Sequence, residues 1–140
     1  MNKKALAIIL IWTVLAGCDP GSEFRKVVQN DSKKDVWIIW YQKSVTGSIT
    51  YTPIDSILVK AGSATSFFNA SGTTGGYWTN GDCANPLNVD SLGAKISNES
   101  QLRLIKDVND NSLWQYSRSG GRSKGYKIQC SLHISESDIQ

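Results

Sequence analysis

Val36-Trp37-Ile38-Ile39-Trp40-Tyr41 is the stretch on which the fold turns. Every side chain in it is β-branched or aromatic, the types that suit a pleated, half-buried surface. A run of this length without a polar residue predicts a strand buried on both sides, or one with a core face and a covered outer face. Upstream, Asn30-Asp31-Ser32-Lys33-Lys34 reads as a polar turn, and residues 24–29 (FRKVVQ) as a strand before it. Downstream, Gly47 marks a turn and residues 48–52 (SITYT) alternate towards Pro53. Residues 55–60 and 64–69 are further strands, separated by the turn Ala61-Gly62-Ser63.

The alternating pattern breaks off at residues 70–88, which hold Gly72, Gly75, Gly76, Gly81 and Pro86 around the pair Tyr77-Trp78. A connection this long without periodicity is uncommon in a small domain and points to function or poor order. Strands are expected again at 90–97 and 102–108, with a turn at Asn109-Asp110-Asn111. Residues 112–118 fit either a strand or one helical turn. Residues 119–124 read as a Gly/Ser/Arg loop, and 126–134 (YKIQCSLHI) alternate cleanly as a last strand. No longer window carries a 3.6-residue period. The expected fold is all-β: a single antiparallel β-sandwich, immunoglobulin-like or barrel-like, of about seven or eight strands.

The first residues have a different purpose. Lys3 and Lys4 precede the uncharged run 5–15 (ALAIILIWTVL), which is too short to span a bilayer core that needs about 20 helical residues. Its length and its charged start fit a signal peptide. Leu15-Ala16-Gly17-Cys18 closes the run, followed by the polar break Asp19-Pro20-Gly21. These four residues resemble the lipobox of bacterial lipoproteins. That resemblance implies cleavage before Cys18, acylation of its sulfur and usually of the new N-terminus, and a membrane partner reached through the lipid. The expected organisation is a signal peptide at 1–17, a lipid-attachment cysteine and tether at 18–23, and a sandwich domain at 24–140. Asp19 after the cysteine is, in some lipoprotein families, a signal for inner-membrane retention, a rule that varies between bacterial groups. The implied location is the cell envelope, facing periplasm or cell surface.

Composition bounds the remaining choices. The precursor carries a formal charge of +3, but Lys3 and Lys4 leave with the signal, so the mature chain is close to neutral. The densest basic group, Arg118, Arg122, Lys124 and Lys127, lies among Gly and Ser and reads as a solvated loop. Nucleic acid is therefore not an expected partner. With Cys18 consumed by lipid, Cys83 and Cys130 remain, an even pair for which an oxidising compartment favours a disulfide. Closing a loop of about 48 residues would contribute roughly 4 kcal/mol. Two distant thiols and the single histidine, His133, give no metal-ligand cluster, and no cofactor is expected.

Catalytic patterns are sparse. His133 is the one histidine, and alternation from Ile128 places it with Gln129 on the polar side of the last strand, opposite Cys130, Leu132 and Ile134. Asp107-Val108-Asn109-Asp110-Asn111 starts like a calcium loop, but Ser112 stands where that loop needs Gly and Arg118 where it needs Glu. A hairpin turn accounts for the same residues. No two of the 12 acidic residues are singled out as a glycosidase pair. The chain is read as non-enzymatic.

The best binding candidates are Tyr77, Trp78, Asn80 and Asp82. Aromatic rings beside Asn and Asp can stack on a sugar or anchor a protein, because Trp and Tyr bury large areas at low entropic cost. The same two rings could instead close one end of the sandwich. Asn69-Ala70-Ser71-Gly72 followed by Tyr77-Trp78-Thr79-Asn80-Gly81 resembles the inhibitory loop of lipoprotein lysozyme inhibitors, with different spacing and cysteine placement. Over most of the mature chain the layout resembles small envelope lipoproteins with a β-sandwich domain. The residues that carry this are Val28-Gln29-Asn30-Asp31-Ser32, Asp55-Ser56-Ile57, Ala61-Gly62-Ser63, Asp90-Ser91-Leu92 and Ile134-Ser135-Glu136-Ser137-Asp138-Ile139. No activity comes with that resemblance. The expectation is a lipid-anchored binding or structural module for an envelope protein or glycan; an inhibitor of a lytic enzyme or a carbohydrate-binding module is the alternative.

Overall fold

In the computed structural model, which describes residues 21–72, 81, 83, 90–121 and 123–140, the apolar run opens β2 (Val36–Ser44). Val36, Ile38 and Trp40 point into the core at 0%, 1% and 7% exposure, while Trp37, Ile39 and Tyr41 are half-buried on the outer side. The outer face is thus partly covered: Trp37 and Ile39 line a shallow groove with Pro53 and Ile54. β2 is the centre of a three-stranded sheet in the order β3 (Thr50–Val59), β2, β5 (Ser91–Ile96). The second sheet has the order β4 (Ser63–Gly72), β1 (Ser22–Asn30), β7 (Gly125–Ile134), β6 (Gln115–Gly121). The described residues form an all-β sandwich of seven strands, four packed on three, and not a closed barrel.

Alternation explains the core. Phe24 and Val28 of β1 and Ile128, Cys130, Leu132 and Ile134 of β7 are each 2% exposed or less and face the inward side chains of β2. Burying one such aliphatic side chain contributes about 1.5–3 kcal/mol. As expected, His133 falls on the other side of β7, where Nδ1 lies 3.5 Å from the Asp31 carboxylate.

Several local expectations are corrected. The sandwich is not purely antiparallel, because β1 and β7 pair in parallel from Glu23↔Lys127 to Asn30↔Ile134. Parallel neighbours need a crossover, and here most of the chain supplies it; alternation carries no information on strand direction. The strands expected at 48–52 and 55–60 are one strand, β3 (Thr50–Val59), which tolerates Pro53 because it is a sheet edge with a bulge at Ile54. Residues 102–108 form no strand. Leu104 makes a single bridge to Ile139, and Arg103 and Ile105 bond to the backbone of Gln140 and Asp138, a partner of three residues that begins at the end of a 3-10 turn (Glu136–Asp138). Residues 112–118 divide between the two readings, a 3-10 turn (Asn111–Leu113) followed by β6. β6 extends to Gly121 within the expected loop, and at Gly120 (φ +87°) a Cβ would come within 2.2 Å of the Gly125 carbonyl. β1 also starts at Ser22, inside the expected tether.

The strands run in a fixed sense that positions everything else. Asn30 Nδ2 donates to the Val59 carbonyl at 3.1 Å, so the end of β1 is level with the Val36–Val59 pair. Trp40 meets Phe67, the bulge residue of β4 opposite Lys26 and Val27, at 5.6 Å between ring centroids. β2 therefore runs back along β1, and Ser44 comes level with Ser22.

Candidate functional site

Cys83 and Cys130 are joined in a disulfide with a Cα separation of 5.7 Å. Cys130 is fully buried on the core face of β7 and Cys83 is 4% exposed, so the bond ties the segment after β4 into the middle of the sandwich. Across the parallel ladder, Cys130 pairs with Lys26. Lys26 is 1% exposed and its Nζ lies 4.4 Å from the centroid of the Trp114 ring. Trp114 donates from Nε1 to the Val108 carbonyl at 3.1 Å and packs on Phe67, which packs on Trp40. A buried cation beside an indole face is favourable where water is excluded. Lys26 was not among the residues expected to matter. The signal was present, since Phe24-x-Lys26-x-Val28-x-Asn30 puts it in phase with the core.

The opposite end of β1 is a second polar centre. Asn30 is fully buried, donates to the Lys34 carbonyl (2.7 Å) and the Val59 carbonyl (3.1 Å), and accepts from Ser32 N–H (3.1 Å) and Ser32 Oγ (2.6 Å). Its amide fixes the crossing from one sheet to the other. Nearby, Lys34 pairs with Glu99, whose hydrogen bond and charge hold the ammonium above its ordinary pKa. Lys106 binds Asp138 at 2.9 Å and the His133 carbonyl at 2.7 Å. Burial pushes the Asp138 carboxyl up, but donation from Ser135 N–H, Lys106 and the Ser135 hydroxyl outweighs it, and the group sits below the usual carboxylate value.

Of the binding candidates, Tyr77, Trp78, Asn80 and Asp82 lie outside the described residues, as does Cys18. On either side of them, Gly72 at the end of β4 pairs with Ser22, and the Asp90 N–H donates to the Tyr41 carbonyl at 3.1 Å. In the calcium-like stretch the oxygens are engaged locally. Asp110 accepts from Ser112 N–H and Oγ at 2.9 and 2.7 Å, which lowers its pKa, and Asp107 accepts from Asn109. The Asn109 amide in turn bonds both polar backbone atoms of Leu92, at 2.7 and 2.8 Å, and so ties the turn to β5. Among the described residues, no group of three or more His, Cys, Asp and Glu side chains is placed to hold a metal ion.

The surface is uneven. Residues 42–56, the outer halves of β2 and β3 with their connection, are all exposed. Val45, Ile49, Tyr51 and Ile54, within this arm, are 52–70% exposed. A cleft is lined by Glu23, Arg25, Ser117, Ser119 and Lys127 on the outer face of the four-stranded sheet, whereas Arg118, opposite Ile128, turns its guanidinium over the Tyr126 ring at 5.0 Å. Among the described residues, no helix is long and apolar enough to cross a membrane. No protein-family model, curated protein or solved structure matches this chain. The structure thus defines a small all-β protein of two sheets.

Proposed function

We propose that the chain is a lipid-anchored, non-enzymatic protein of the bacterial cell envelope that serves as a binding or structural module. The observation that carries this is the run from Lys3 to Cys18: a charged start, a short apolar stretch and Leu15-Ala16-Gly17-Cys18. The Cys83–Cys130 pairing supports export, since disulfides persist in oxidising compartments and are rare in the cytosol. Two or three acyl chains on Cys18 would hold the protein firmly, at about 0.8 kcal/mol per buried CH₂, where a single chain is marginal. The non-enzymatic reading rests on the residue inventory, whose one histidine sits beside Asp31 on the outer face of β7. Tyr77, Trp78, Asn80 and Asp82 are the proposed contact residues for an envelope protein or glycan.

Replacement of Cys18 tests the anchor. In the producing bacterium, Cys18→Ala is expected to remain uncleaved and to carry no acyl mass, while the wild type is recovered from washed membranes as a shortened, acylated chain. A wild-type chain that is not acylated at Cys18 refutes the reading.

A further inference from the structure

Three features converge on one end of the sandwich. The first is the start of β1 at Ser22, four residues after Cys18, a span of at most about 14 Å when fully extended. The second is the exposed β2–β3 arm, because Ser44 is level with Ser22 and the connection 45–49 projects beyond it. The third is the β6–β7 hairpin: Lys127 pairs with Glu23, so its closing pair, Gly121 with Gly125, lies at the level of Ser22 at the same end. β3 packs towards β4 and β1, whereas β6 is the far edge of the four-stranded sheet. The two hairpins therefore flank the point where the chain enters the fold.

Their chemistry differs in a way that suits one surface. Residues 44–54 (SVTGSITYTPI) contain no charged side chain, although every one of them is exposed. Scattered apolar residues on a surface need no explanation, but here Val45, Ile49 and Tyr51 lie together on one projecting arm, with Ile54 at its base beside Trp37 and Ile39. Aliphatic side chains with a Tyr are the composition that rests at the level of lipid headgroups. The β6–β7 hairpin presents exposed Lys124 and Lys127, which complement anionic headgroups, with Arg118 on its other face over the Tyr126 ring. Glu23 at this end lies 3.5 Å from Arg25. This end also carries Lys43 and Asp90, whose carboxylate accepts from the Lys43 N–H at 2.7 Å, while the opposite end is richer in acid, with Asp31, Asp35, Glu99 and Glu136 beside Lys33 and Lys34.

We propose that the β2–β3 arm and the basic β6–β7 hairpin form a docking face for the anionic bilayer surface, which seats the domain end-on beside the lipidated Cys18. The proposal rests on the lipoprotein reading. The arm's apolar tip would enter the headgroup layer, the basic hairpin would lie against lipid phosphates, and the Asn30–Val59 end would point into the aqueous compartment. The acyl chains hold the protein to the membrane; the docking face sets its orientation and limits its distance.

The test uses the full chain, exported, lipidated and purified from membranes, with a single fluorescent label on Ile49→Cys or, as a control at the far end, on Ser137→Cys. Val45→Cys is the second tip position if Ile49→Cys does not fold. Each protein is placed in vesicles of phosphatidylethanolamine and phosphatidylglycerol, with and without lipids that carry a nitroxide near the headgroup. The tip label is expected to shift its emission to the blue and to lose most of it to the nitroxide lipids, and the Ser137 label to do neither. A chain acylated at Cys18 whose tip label matches the control overturns the docking face and leaves the anchor standing. A tip label that is shielded in detergent and indifferent to nitroxide lipids assigns the arm to a second copy or another protein, and overturns it as well. A chain without acyl groups at Cys18 overturns both readings.

Discussion

Asn30→Asp changes one nitrogen to oxygen and no volume, at a site where the structure leaves no room for a carboxylate. The amide nitrogen donates to two carbonyls, Lys34 at 2.7 Å and Val59 at 3.1 Å, and the residue is fully buried. An ionised Asp would turn both hydrogen bonds into contacts between negative oxygens. The half-buried Lys34 carbonyl is also reached by Ser32 Oγ at 3.1 Å, so the buried Val59 carbonyl is the acceptor that loses most, and the expected loss at neutral pH is about 1–3 kcal/mol before any charge-burial penalty. That is a sizeable part of the 5–15 kcal/mol of a typical domain. Burial and the two carbonyls raise the folded-state pKa of the new carboxyl above its unfolded value near 3.9. The charge-related part of the loss is then complete above the folded pKa and fades as the pH falls towards the unfolded one. Ser32→Ala, which removes one donor to Asn30 Oδ1, should cost only about 1 kcal/mol. The assay is urea unfolding of the mature protein in detergent at pH 7 and pH 4.5, followed by tryptophan emission. An Asn30→Asp midpoint equal to wild type at pH 7, or a deficit that grows on acidification, would refute the role assigned to this amide.

Other expectations follow from the same structure. Replacing Cys83 and Cys130 together by Ala should lower unfolding free energy by about 4 kcal/mol, since the residues are 47 apart in sequence; an unchanged midpoint, or two alkylatable thiols in envelope-derived protein, would contradict the bond. Asp138 has a lowered folded pKa, so its stabilising effect is present above the unfolded value near 3.9 and is lost as pH falls through the folded one. Asp138→Asn should therefore destabilise the fold at pH 7, by about 1.5–3 kcal/mol for a charge-assisted contact, and the gap to wild type should close as the pH falls below the unfolded value and through the lowered folded one. On the proposed binding role, which the sequence alone motivates, Tyr77→Ala with Trp78→Ala should abolish capture of an envelope partner while it shifts stability by no more than about 0.5 kcal/mol; a loss of several kcal/mol would assign the rings to the core instead.

The sequence by itself determined the elements with strong period-two alternation. Val36, Ile38 and Trp40 inward, Ile128, Cys130, Leu132 and Ile134 inward and His133 outward all follow from side chains that alternate across a pleat, a rule that acts locally. The pairing of Cys83 with Cys130 was also legible, because only two cysteines remain once Cys18 is assigned to lipid. The same local rule held the place of Lys26 in the core, but a charged side chain masks its own phase, and what accommodates it, the Trp114 ring, comes from a distant segment. Residues 102–108 had the right alternation and no straight partner strand, so they bridge once and stop. Only the tertiary structure decided that β1 and β7 run parallel and that two hairpins and the start of β1 share one end. Direction and level depend on contacts between residues far apart in the chain, which no local pattern encodes.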